Sequence, residues 1–134
     1  MAELCFGCGQ DNPIGLHIDY VYGSDDRTST LLTLSDEYSG EPGVVHGGIQ
    51  ATILDEVLGR TVRRRVDQLA TGSPPVVTAS FELKYRSPCP VGTAIEARAA
   101  IEAVEWPSVM AIGEIVDADG KVLTEARARW RVLD

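Results

Sequence analysis

The residues of this chain best placed to do chemistry form one stretch, Gly40-Glu41-Pro42-Gly43-Val44-Val45-His46-Gly47-Gly48-Ile49-Gln50-Ala51-Thr52-Ile53-Leu54-Asp55-Glu56. A glycine-rich turn carrying a histidine opens an apolar helix, and two acids follow inside that helix. Glycines at a helix start let a ligand approach free backbone N–H groups, and the helix dipole adds to them in stabilising negative charge. Further along, Asp55 and Glu56 stand among Ile53, Leu54, Val57 and Leu58, where burying a charge is costly. An oxyanion site and a buried base on one element point to acyl chemistry. A carboxylate against an apolar wall should also have a raised pKa, which suits a base working near neutral pH.

The elements that must position these groups follow from periodicity. Residues 1–15 are rich in glycine, cysteine and turn formers and read as an irregular arm. Leu16 to Tyr22 alternates apolar and polar residues and reads as a strand. Gly23-Ser24-Asp25-Asp26 is a turn, and Thr28 to Leu34 a second strand. Gly47 to Asp67 is helical, ended by Leu69-Ala70-Thr71-Gly72-Ser73-Pro74-Pro75. Strands are then expected over Val76–Ser87, Thr93–Glu105, Ser108–Val116 and Val122–Val132, with Asp119-Gly120 as a hairpin turn. In the first of these, Val77, Ala79, Phe81, Leu83 and Tyr85 should share one face, with Thr78, Ser80, Glu82, Lys84 and Arg86 on the other. In the second, Ile95, Ala97, Ala99, Ile101 and Ala103 should share a face. The class is α+β, a long antiparallel sheet around one helix. One helix cannot cover both faces of such a sheet, so the other must be polar or pair with a second subunit.

Composition narrows the function classes. The 134 residues fit one domain. A net charge of −8 argues against a nucleic-acid partner. No apolar run approaches the roughly 20 residues of a membrane span, and the start has no signal-peptide pattern. Three cysteines without a secretory signal suggest reduced thiols and a cytoplasmic protein.

The element order and the motif together resemble the PaaI-type hotdog acyl-CoA thioesterases. His46-Gly47-Gly48, with Asp55 nine residues after the histidine, is similar to that family's signature. Phe81-Glu82-Leu83-Lys84-Tyr85-Arg86-Ser87-Pro88 resembles the family's strand after the helix. Cys5-Phe6-Gly7-Cys8-Gly9-Gln10-Asp11-Asn12-Pro13-Ile14-Gly15-Leu16 resembles a leader in one of its branches. The resemblance implies that the Gly47 N–H stabilises the oxyanion and that Asp55 is the general base or the nucleophile. Thr78 stands where a serine often orients that carboxylate or water, and His46 would shape the pocket beside the carbonyl. Several members carry an asparagine or glutamine six residues before the histidine, where this chain has Gly40. No cofactor is implied. The rival readings are a hotdog dehydratase or hydratase, in which His46 would be essential, and a non-catalytic acyl-CoA-binding module.

Spacing adds a constraint. Gly47 and Asp55 are eight residues apart, about 12 Å along a helix axis, whereas a thioester carbonyl and its attacking water lie about 3 Å apart. One helix cannot easily supply both groups, so Gly47 of one subunit is expected to face Asp55 of another, with a dimer as the minimum and a tetramer open.

The plainer readings stand beside these. Glu56 would pair with Arg60, four residues on, leaving Asp55 for chemistry. His46 could simply bond a neighbouring backbone group. Arg63, Arg64 and Arg65, in the last helical turns, would complement the dipole. Alternatively Arg63 and Arg64, with Arg86, would hold coenzyme A phosphates, and Gly48 and Glu56 would complete the substrate-binding set. Cys5-X-X-Cys8 lacks the four ligands of a zinc site in sequence, since His17 and Cys89 lie far apart. It reads as a structural arm with free thiols and no metal, a reading that zinc analysis can overturn.

Overall fold

The computed structural model describes every residue except Met1 and Asp25, so Asp25 of the expected first turn lies outside the described residues. The elements are β1 (Val21–Tyr22), β2 (Arg27–Leu32), α1 (Gly47–Leu69), β3 (Val76–Tyr85), β4 (Ile95–Glu105), β5 (Ser108–Val116) and β6 (Val122–Val132). The strands form one antiparallel sheet in the order β1-β2-β4-β5-β6-β3. The sheet wraps α1, as in the hotdog fold.

The helix forms because Ile53, Leu54, Val57, Leu58, Val62 and Val66 recur at helical spacing on one side. All six are fully buried. They meet Ala97, Val109, Ala111, Ile115, Ala128 and Trp130 from the inner face of the sheet, in one core cluster. Small alanines on the strands let the helix approach closely. Gln50 is the polar member of this core. Its side-chain amide donates to the Val45 carbonyl at 2.9 Å and its oxygen accepts from the Thr124 hydroxyl, so the buried amide is satisfied.

The outer face of the sheet is polar and laced with ion pairs. Arg98 pairs with Glu96 and Glu114, and Arg127 with Glu102.

Several expectations need correction. The strand from Leu16 shrinks to Val21–Tyr22, because Leu16 and Ile18 donate their N–H groups to the Phe6 and Gly7 carbonyls of the arm. His17 has a positive φ of 51°, which breaks the extended run. The second strand ends at Leu32 rather than Leu34. A bulge between Thr78 and Ser80 inverts the parity of β3. Thr78 opposes the buried Trp130, while Phe81 and Leu83 oppose the buried Ala128 and Ala126. Thr78, Phe81, Leu83 and Tyr85 therefore share the face toward α1. A second bulge between Ile101 and Ala103 turns Ala103 away from the core face, opposite Met110.

The helix runs to Leu69, so Arg63, Arg64 and Arg65 precede its last turn and do not complement its dipole. Among the described residues no helix is long and apolar enough to cross a membrane.

Candidate active site

Asp55 sits half-buried on the flank of α1 facing β3. Its neighbours Ile53, Leu54, Val57 and Leu58 hold the helix against the sheet, which fixes this flank. The Thr78 hydroxyl donates to Asp55 Oδ1 at 3.2 Å. Burial pushes the Asp55 carboxyl above its ordinary value. The Thr78 bond pulls it back, the Glu56 charge adds to the rise, and the net direction is upward. A carboxylate held by one oxygen leaves the other free to take a proton.

The start of α1 is built around His46. It is the N-cap residue, and its Nδ1 accepts from the Gly48 N–H at 2.8 Å. An accepting Nδ1 carries no proton, so the neutral imidazole holds its hydrogen on Nε2. This matches the plain backbone-bonding reading of His46, and it commits the Gly48 N–H within the chain rather than to a ligand. The Gly47 N–H has no acceptor among the described residues. It belongs to the first turn of the helix, where unpaired N–H groups and the dipole favour an anion. The Tyr85 hydroxyl donates to the Gly47 carbonyl at 2.8 Å and ties this turn to the end of β3. Gly40 packs against His46, so a Cβ there would lie 3.3 Å from the His46 Cα.

One strand thus holds both halves of the site: Thr78 near one end of β3 holds Asp55, and Tyr85 at the other holds Gly47. Tyr85 was not legible as a positioning residue, because simple alternation sets it on the face opposite Thr78. The bulge that brings them together leaves no periodic trace.

The other expected groups lie elsewhere. No Glu56–Arg60 ion pair forms: Glu56 Oε2 accepts from the Tyr20 hydroxyl at 3.0 Å, and the Arg60 guanidinium lies 4.8 Å over the Tyr20 ring. The i,i+4 spacing was right, but the arm and Tyr20 come between the two side chains. Arg63 pairs with Asp67 and donates to the Pro74 carbonyl. Arg64 donates to the Arg27 and Gly23 carbonyls and stacks on Tyr22. Arg65 pairs with Asp26, and Arg86 with Glu125. Arg63, Arg64 and Arg86 are therefore engaged in three separate places within this chain. Cys89 is fully buried, and burial pushes its thiol up to about 11.

Known proteins share this fold. The thioesterase superfamily profile matches residues 42–124, from the glycine-rich turn into β6. Acyl-coenzyme A thioesterase THEM4 of Mus musculus is 29% identical over 111 residues, covering 82% of this chain and 45% of that protein. The Rattus norvegicus protein of the same name is 30% identical over 124 residues, covering 90% of this chain and 50% of its own length. The chain spans about half the length of the curated relatives it matches. Among solved structures, a thioesterase superfamily protein superposes with a TM-score of 0.78 at 28% identity, covering 90% of this chain and 59% of that one. The E. coli PaaI protein from the phenylacetic acid degradation operon shares the fold at a TM-score of 0.76 and 16% identity, covering 89% of this chain and 81% of its own.

Proposed function

The chain belongs to the thioesterase superfamily, and from that premise we propose that it hydrolyses an acyl-CoA thioester to the free acid and coenzyme A. The observation that carries this reading is the half-buried Asp55, raised in pKa and held at one oxygen by Thr78. Asp55 accepts a proton from water as that water attacks the thioester carbonyl. The tetrahedral oxyanion is stabilised by the Gly47 N–H and the helix dipole. The intermediate then collapses, the carbon–sulfur bond breaks, and the proton held by Asp55 neutralises the departing thiolate. The neutral imidazole of His46 shapes the turn that presents Gly47 and takes no proton in these steps.

The site needs two copies of the chain. Gly47 and Asp55 lie on one helix, about 12 Å apart along its axis. Among the described residues β3 hydrogen-bonds only β6, which leaves its other edge open over ten residues. A long open edge is a ready template for a second strand. Antiparallel pairing of two β3 strands about Glu82, with the bulge skipped, would set Thr78 opposite the second copy's Tyr85. Asp55 of one copy would then approach Gly47 of the other, giving two sites per dimer. The chain is read as one hotdog domain, and its unpaired thiols fit a reducing cytoplasm.

Thiol release from short, medium, long and aromatic acyl-CoAs tests the activity, with wild type beside Asp55→Asn. Hydrolysis of at least one member that disappears in the folded variant is the expected result. Binding without hydrolysis of any member would replace the enzyme with an acyl-CoA-binding module.

A further inference from the structure

We propose that Cys5, Cys8 and Glu56 form a zinc site that clamps the N-terminal arm onto α1. The Cys5 and Cys8 sulfurs and a Glu56 carboxylate oxygen all lie within 4.8 Å of one another, and all three residues are half-buried. Cys5 Sγ is 3.7 Å from Glu56 Oε1. With zinc–sulfur bonds of ~2.3 Å and a zinc–oxygen bond of ~2.0 Å, tetrahedral ligands stand roughly 3.5–3.8 Å apart. This cluster is thus near the required size before any ion enters it.

The backbone is shaped around the pair of sulfurs. The Cys8 N–H donates to Cys5 Sγ at 3.4 Å, and the Gly9 N–H to the Cys5 carbonyl at 2.9 Å. This turn brings the two sulfurs to one side. Its two glycines have no room for a side chain. A Cβ on Gly7 would lie 2.3 Å from Glu56 Cγ, and one on Gly9 would lie 2.4 Å from the Glu3 carbonyl oxygen.

The surroundings supply what a metal site needs beyond its ligands. The Tyr20 hydroxyl holds Glu56 Oε2 at 3.0 Å, which turns Oε1 toward the sulfurs. Arg60 approaches Cys8 Sγ at 3.7 Å. Two thiolates and a carboxylate carry three negative charges. A divalent ion leaves one, and the Arg60 guanidinium neutralises it. Thiolate sulfur with one carboxylate oxygen suits zinc better than magnesium or calcium. Binding releases the two thiol protons to solvent. A groove lined by Cys8, Gln10, Tyr20 and Arg60 opens beside the cluster, and a water from it would complete the four-coordinate shell. The ligand that sequence spacing did not reveal is Glu56, 48 residues after Cys8.

Metal analysis of the whole chain purified without chelator, with free-thiol titration on the same sample, tests this. The expected content is one zinc per chain, lost in Cys5→Ser and Cys8→Ser. Cobalt added to metal-stripped protein should give a thiolate-to-cobalt charge-transfer band and the visible bands of a four-coordinate ion. Tyr20→Phe keeps all three ligands and the ring under Arg60, so it should fold and weaken zinc binding roughly 10–100-fold. Reduced thiols with no bound zinc and no cobalt band would overturn the proposal. So would full zinc retention in a folded Cys5→Ser/Cys8→Ser protein, or a Cys5–Cys8 disulfide in the purified chain.

Discussion

Asp55 is the residue on which the proposed chemistry turns, and its environment makes several claims measurable. Asp55→Asn keeps the shape and an acceptor for Thr78 but removes the base, so kcat should fall by ~10²–10⁴-fold. Burial raises the Asp55 pKa, so activity should fall with decreasing pH before an ordinary aspartate would protonate. Thr78→Val removes the bond that stabilises the carboxylate, and the acid limb of the pH–rate profile should move to higher pH. Stability should run the other way. A raised carboxyl favours folding while it is protonated, and that benefit is lost as pH rises through its folded value. Asp55→Asn should therefore have a higher Tm than wild type at neutral pH, with the gap closing in acid. An unchanged Tm difference across that range would show that Asp55 carries no burial penalty.

At the scale of elements, the long strands and the helix were legible because their apolar periodicity is strong and their ends carry turn chemistry. β5 and β6 begin and end where alternation and the Asp119-Gly120 turn set them. Asp55 and Gly47 were legible for a similar reason, as a charge and a glycine pair are conspicuous in an apolar helix. The Thr78 and Tyr85 contacts were not legible as a pair, because an inserted residue at a bulge inverts parity without leaving a compositional mark. Leu16 to Tyr20 kept alternating burial, but its N–H groups went to the arm instead of β2. Long-range competition for backbone partners of that kind has no local signature. Glu56 and Arg60 illustrate the same limit, since helical spacing brought them near and Tyr20 claimed both. One element-level contact is testable on its own. Gln50 ties α1 to the Val45 carbonyl and to Thr124 of β6. Gln50→Ala would leave these buried partners unsatisfied and should cost about 1–3 kcal/mol in chemical denaturation. A cost near zero would mean that the helix start is held by packing alone.

For the whole molecule, the proposed mechanism makes the single chain an incomplete machine: the proposed base and oxyanion donor share one helix but not one reaction centre. The open β3 edge lies beside both, so assembly and activity should rise and fall together. Light scattering should report at least a dimer at concentrations where hydrolysis is seen. The most direct measurement uses two variants that are each inactive, Asp55→Asn and Gly47→Pro. The second removes the backbone donor at a first helical position, where proline is tolerated, and His46 already has the extended ψ of 136° that a following proline requires. Co-expressed with separate tags, heterodimers would join the intact Asp55 of one chain to the intact Gly47 of the other. Equal mixing makes half the dimers mixed, each with one working site, so about one quarter of wild-type thiol release should return. Mixed dimers isolated through both tags that release no thiol, while wild type does, would contradict a site shared between two chains.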